Sequence, residues 1–186
     1  MSLYTIALFL HVLGALGLFA TLGIEWAVAE PLRRATDVAQ ARPWIRVLRS
    51  LGRMGGPSSA TILVTGIYMG MSSGGRQPWI GLSLLGLVFL ALLAAGVSGR
   101  RVAAIARDLD SCSPRNDSLR LRLRDPLLVV SLRLRTAVAT GIVFLMTSKP
   151  AAGLALAAMA TAVALGLAWS APALVRRQSA GVELAP

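Results

Sequence analysis

Apolar residues run almost unbroken from Leu3 to Ile24, LYTIALFLHVLGALGLFATLGI. About 20 such residues, at roughly 1.5 Å of rise each, cross a bilayer core of about 30 Å. Similar runs recur at residues 57–72, 79–99, 126–147 and 151–170. The second run is short for a bilayer and needs residues on either side of it. The pattern predicts an all-α, polytopic transmembrane helical bundle of about five spans, one integral membrane domain over residues 1–186. Four helices are expected to pack together, with the fifth against them. Ala27-Val28-Ala29 has the small-x-small look of a signal cleavage site. However, no positive charge precedes the first run, so that run is read as a span.

Proline punctuates the pattern. Pro57, Pro78, Pro126 and Pro150 sit at or near expected span starts, where a missing N–H leaves no helical bond unmade. Asp125 is the expected N-cap of the fourth span. Arg42, Arg46, Arg49 and Arg53 share one helical face, with Trp44, Val47, Leu48 and Leu51 on the other side. Residues 43–53 are therefore expected to form a basic interfacial helix, apolar side down, with its arginines toward anionic headgroups. Gly55-Gly56-Pro57 should break it from the second span. Residues 100–109 can extend the third span, and 110–118 read as a loop. The alternating Leu-Arg stretch after Ser118 has no partner strand and reads as a basic approach to the fourth span.

Charge adds orientation. The formal net charge is +11 and 55% of residues are hydrophobic; no soluble domain of this length hides that much apolar surface. The arginines concentrate in the first and third connections and in the C-terminal tail, against Arg76 alone in the second connection and Lys149 alone in the fourth. With five spans the basic segments all fall on one side, which places the N-terminus outside and the C-terminus in the cytoplasm. A bacterial cytoplasmic (inner) membrane is the expected location. The basic balance then reflects topology and anionic lipid, not nucleic acid. Cys112 is the single cysteine, which excludes an intramolecular disulfide and a multi-cysteine metal site.

Candidate chemistry lies inside the spans; no nucleophile triad, phosphate loop or His-x-x-x-His motif is present. His11, the only histidine, sits deep in the first run, where an ionisable side chain is costly and points to function. Gly14 and Ala15 leave space beside it. It is a candidate haem-iron ligand, or else a partner for a hydroxyl on another helix. Ser58, Thr61, Thr65, Tyr68 and Ser72 recur at spacings of 3, 4, 3 and 4, one polar stripe along the second span. The stripe lines a cavity or polar path, or it is a packing seam beside Gly66 and Gly70. Arg133 and Arg135 lie within the fourth span, about 200° apart around its axis. One is expected to snorkel and the other to pair. Arg133 is the candidate for pairing, with Glu25 as its protein partner or a haem propionate as its ligand partner. Met69, Met71, Met146 and Met159 are further soft ligands or filler.

Leu10-His11-Val12-Leu13-Gly14-Ala15 resembles the start of the CopD-like bacterial membrane proteins. That group includes copper-resistance permeases, the HemJ-type protoporphyrinogen oxidase and several uncharacterised families. Thr65-Gly66-Ile67-Tyr68, and Phe144-Leu145-Met146 with Lys149-Pro150, look most like an uncharacterised member. The resemblance implies haem b held by His11 in a redox or haem-handling role. The alternatives are a small transporter or transporter-accessory subunit, and a structural subunit without chemistry. With one histidine per chain, a second axial ligand would be Met69, Met146 or the His11 of a second copy in a homodimer. The topology has a direct check. Reporter fusions after Ser73 and after Ser111 are expected to report opposite sides of the membrane, and agreement between them would sink the five-span arrangement.

Overall fold

The computed structural model describes residues 2–72, 74, 77–110, 123 and 125–182, without the side chains of residues 110 and 174–182. The order is α1 (Leu3–Arg34), α2 (Val38–Ser72), α3 (Pro78–Leu93), a π-helical segment (Ala94–Gly99), α4 (Arg100–Asp110), α5 (Pro126–Ser148) and α6 (Ala152–Val182). No strand occurs among the described residues. From α3 through α4 the backbone is one rod, so the described residues form five long helices. Four are long and apolar enough to cross a membrane: α1, the rod Pro78–Leu109, α5, and Ala152–Ala173 of α6. α2, with 35 residues, has the length. Its first half carries four arginines, and the Gly, Ser, Thr and Pro of its second half dilute the apolar residues there, which leaves it outside that group.

Local chemistry sets the ends. The Ser2 hydroxyl accepts from the Thr5 N–H at 3.2 Å, and Arg33 and Arg34 close α1 at the negative end of its dipole. An Asp37 carboxylate oxygen accepts from the Gln40 N–H at 2.9 Å and starts α2. Asp125 caps α5 as expected, accepting from the Leu127 N–H at 3.0 Å, with Pro126 in the first turn. Lys149 ends α5 in the left-handed region at φ 46°. Pro150 then precedes α6.

The expected break at Gly55-Gly56-Pro57 does not occur: α2 runs straight through it. Both halves of α2 are anchored by packing, which outweighs a local propensity of a few kcal/mol. Ala41 and Ile45 are buried against Ile105, Ala106 and Leu109 of α4, together with Val28 and Leu32 of α1. The other half packs Ile62 against Leu18 and Leu22. Residues 43–53 are therefore not a separate helix lying apolar side down. Their apolar side is occupied by protein, and Trp44 is left 36% exposed.

α1 and α2 form one antiparallel hairpin, and α5 and α6 form another. α3 joins them by packing on α5. α5 is the most enclosed of the four apolar spans, and α6 the least. Small residues set the contact of the last helix. A Cβ on Gly166 would lie 3.0 Å from the Ala137 Cβ, and one on Gly141 would lie 3.0 Å from the Ala162 Cβ. Ser170 is fully buried. Ala160, Ala164 and Ala168, by contrast, face outward. Leu3, Phe9 and Leu16 are each about two-thirds exposed, as residues facing lipid would be. The Leu-Arg alternation at 118–122, Cys112 and Arg76 lie outside the described residues.

Candidate intramembrane site

α2 and the α3–α4 rod diverge where their small residues cluster. Between them, α1 and α5 they enclose an open cavity of about 760 Å³. Gly52, Gly55 and Gly56 of α2 form one wall, and Ala91, Ala94 and Ala95 another. Leucines from all four helices supply most of the remaining surface. The volume lies within the range of small-molecule sites, about 300–1,000 Å³.

One wall carries charge. Glu25 of α1 receives both terminal nitrogens of Arg135 on α5, one at 3.1 Å and the other in a shorter contact. Only 4% of the Arg135 side chain is exposed, and 19% of Glu25. Both residues line the cavity. The forked guanidinium–carboxylate geometry is the one that holds such a pair away from water. A third helix joins through Ser98, whose hydroxyl accepts from Arg135 at 3.3 Å and lies 3.1 Å from the Ser131 hydroxyl. Ser98 belongs to the π-helical segment. Such wide turns occur mostly as single insertions and often mark functional positions. Here the turn sets the register that brings a hydroxyl to the ion pair.

The choice of arginine differs from the sequence expectation. Arg135, not Arg133, pairs with Glu25. The two point to different sides of α5, and the side facing α1 carries Arg135. Arg133 turns to α6, where it donates to the Trp169 carbonyl at 2.5 Å and lies 5.4 Å over the Trp169 ring. Trp169 stacks on Trp26 of α1 at 5.0 Å, and the Trp26 indole N–H donates to the Thr136 hydroxyl at 3.0 Å. The two tryptophans and Ser98 were not visible as a unit in the sequence. They lie on different helices, and no spacing rule connects them.

His11 and the polar stripe form a different place. The Thr65 hydroxyl has one hydrogen, and the Thr61 carbonyl takes it at 2.5 Å. The His11 ring therefore donates its Nδ1–H to Thr65 at 3.0 Å. A Cβ on Gly66 would lie 3.3 Å from the ring, so the space beside His11 comes from Gly66 of α2. Gly14 instead receives the backbone of α2: a Cβ there would lie 3.1 Å from the Ser58 carbonyl oxygen. None of Ser58, Thr61, Thr65 and Tyr68 lines the cavity. Thr65 is buried in the α1–α2 seam, while Ser58, Thr61 and Tyr68 are half-buried. The stripe is thus drawn into helix packing, with His11 as its cross-link.

These positions bear on a haem. Glu25 stands fourteen residues from His11, about 21 Å along the axis of α1. The cavity offers volume without an imidazole, and His11 lies outside its lining. No group of three or more His, Cys, Asp and Glu side chains gathers among the described residues. Within one chain, the residues present do not fit a His11-bound haem with Arg133 on its propionate.

No protein-family model matches the chain, and no similar curated protein or solved structure is found. The geometry gives a reversed order of sensitivity for the two arginines. Arg135→Leu leaves Glu25 buried and unpaired and is expected to cost about 3–5 kcal/mol. Arg133→Leu loses one hydrogen bond and a cation–π contact, about 1–3 kcal/mol. Thermal unfolding in detergent checks the order; equal shifts for the two variants would refute it.

Proposed function

We propose that this integral membrane protein belongs with small transporters or transporter-accessory subunits and works by holding a lipid-like amphiphile in its intramembrane cavity. The proposed setting is a bacterial cytoplasmic membrane, with the N-terminus outside. The observation that carries the reading is the cavity itself, largely apolar and open between α2 and α3, with the Glu25–Arg135–Ser98 cluster in its wall. A purely structural bundle has no use for about 760 Å³ of space at the level of its most costly ion pair. Apolar walls suit an alkyl tail, and the polar cluster suits an ester or hydroxyl group near the tail's head.

The test fills the cavity. A Cβ on Gly56 meets no atom within 4 Å, so Gly56→Leu introduces bulk at the wall without a clash. Mass spectrometry of the detergent-purified protein is expected to find co-purifying lipid on the wild type and markedly less on Gly56→Leu/Ala95→Leu. Equal lipid on both proteins, at equal thermal stability, would overturn the reading.

A second reading keeps haem b. It draws support from the Nδ1–H bond to Thr65, which leaves Nε2 free to ligate, as in metal-bound histidines oriented by a partner. The site would then be completed by a second copy of the chain. It requires a Soret band in protein expressed with haem supplied, lost in His11→Ala. A colourless wild type, or a His11→Ala protein with the same band, removes it.

A further inference from the structure

The four arginines of α2 are exposed, and they border a recess beside α4. Arg42, Arg46, Arg49 and Arg53 follow one another along about 16 Å of a single helical face. That face borders a second cavity of about 470 Å³, closed on its other side by Ala106 and Leu109 of α4. Among the described residues, the lining contains four guanidinium groups and no carboxylate. Arg42 is partly committed, donating to the Leu109 carbonyl at 2.8 Å. Arg46 and Arg53 line this cavity alone, whereas Arg49 also lines the large apolar one. Arg33 stands at the wall of the large cavity as well. A basic recess and an apolar recess therefore meet at Arg49.

We infer that the amphiphile is an anionic phospholipid, its phosphate held in the Arg46–Arg49–Arg53 recess and an acyl chain lying in the apolar cavity. The inference rests on the amphiphile reading proposed above and assigns the head. Like charges set one turn apart repel, and a concave site concentrates that field; a phosphate monoanion or dianion relieves it with forked hydrogen bonds. Basic recesses between membrane helices on the cytoplasmic side are sites of this kind. An acidic peptide would satisfy the arginines and leave the joined apolar cavity unused. A lipid uses both.

The experiment follows thermal unfolding of the full chain in a neutral detergent, with four additives: dioleoyl phosphatidylglycerol, dioleoyl phosphatidylcholine, dihexanoyl phosphatidylglycerol and inorganic phosphate. The expected result is the largest rise in Tm with dioleoyl phosphatidylglycerol. Arg46→Gln/Arg53→Gln is expected to weaken that lipid roughly tenfold or more, the order of one lost charge-assisted hydrogen bond. It should leave the phosphatidylcholine response unchanged. Equal rises with the two dioleoyl lipids, or an unaltered preference in the arginine variant, would overturn the headgroup assignment and leave the cavity reading standing. Inorganic phosphate matching the lipid would make the recess a free-anion site and overturn the inference. Should dihexanoyl phosphatidylglycerol match its dioleoyl counterpart and Gly56→Leu have no effect on either, the cavity reading itself falls. No response to any additive overturns both.

Discussion

A guanidinium fixed inside an apolar bundle must be answered by the protein, because lipid cannot answer it. Arg135 is answered by Glu25 across two helices and by Ser98 from a third. That single demand ties the N-terminal hairpin, the long α3–α4 rod and the enclosed helix α5 at one level. The apolar contacts around it fill in on either side. Leu18, Leu22, Ile62, Leu87, Leu90 and Leu132 pack on the membrane side, and Val28, Leu32, Ile45, Ile105 and Leu109 on the arginine side. The hydrophobic effect cannot choose between lipid and protein as a neighbour for leucine; the ion pair and the small-residue seams can.

The seams explain why the cavity lies where it does. α1 and α2 close tightly at Gly14 and Gly66, and α5 and α6 close at Gly141 and Gly166. On the arginine side of the Thr21 level the same economy of side chains has another outcome. Gly52 and Gly56 face no neighbour within 4 Å, and Ala91, Ala94 and Ala95 stand across from them. Small residues let helices approach when the partner helix is free to come close. Here Ile45 and Leu51 hold α2 to its own neighbours, and α3 is held to α5, so the gap remains. The π-helical segment then supplies the polar group that an unbroken α-helix would direct elsewhere.

Charge acts at three depths in this molecule. Arg135 is paired in the interior. Arg133 spends its charge on the Trp169 carbonyl and ring, next to a Trp26 that is itself bonded to Thr136. The α2 arginines line a recess whose described wall carries no counter-charge. His11, the most conspicuous polar residue in the chain, is bound to Thr65 within the helix seam.

The sequence alone determined the all-helical membrane character, the four helices long and apolar enough to cross a membrane and the cap at Asp125, because hydropathy and capping are local properties. It also marked Glu25 as the acid available to an intramembrane arginine, since so few acids lie near the apolar runs. It singled out His11 and left ligand and hydrogen-bond roles both open. Tertiary structure decided the rest. Arg133 and Arg135 differ by about 200° around one helix, and only the position of α1 selects which of them meets Glu25. The Gly-Gly-Pro of α2 reads as a break until the packing on both sides of it is known. The four-arginine face reads as an interfacial anchor until α4 is seen to cover its apolar side and wall a recess beside it. In each case the deciding contact joins residues far apart in the chain, and no pattern within a single helix encodes which helix will stand opposite.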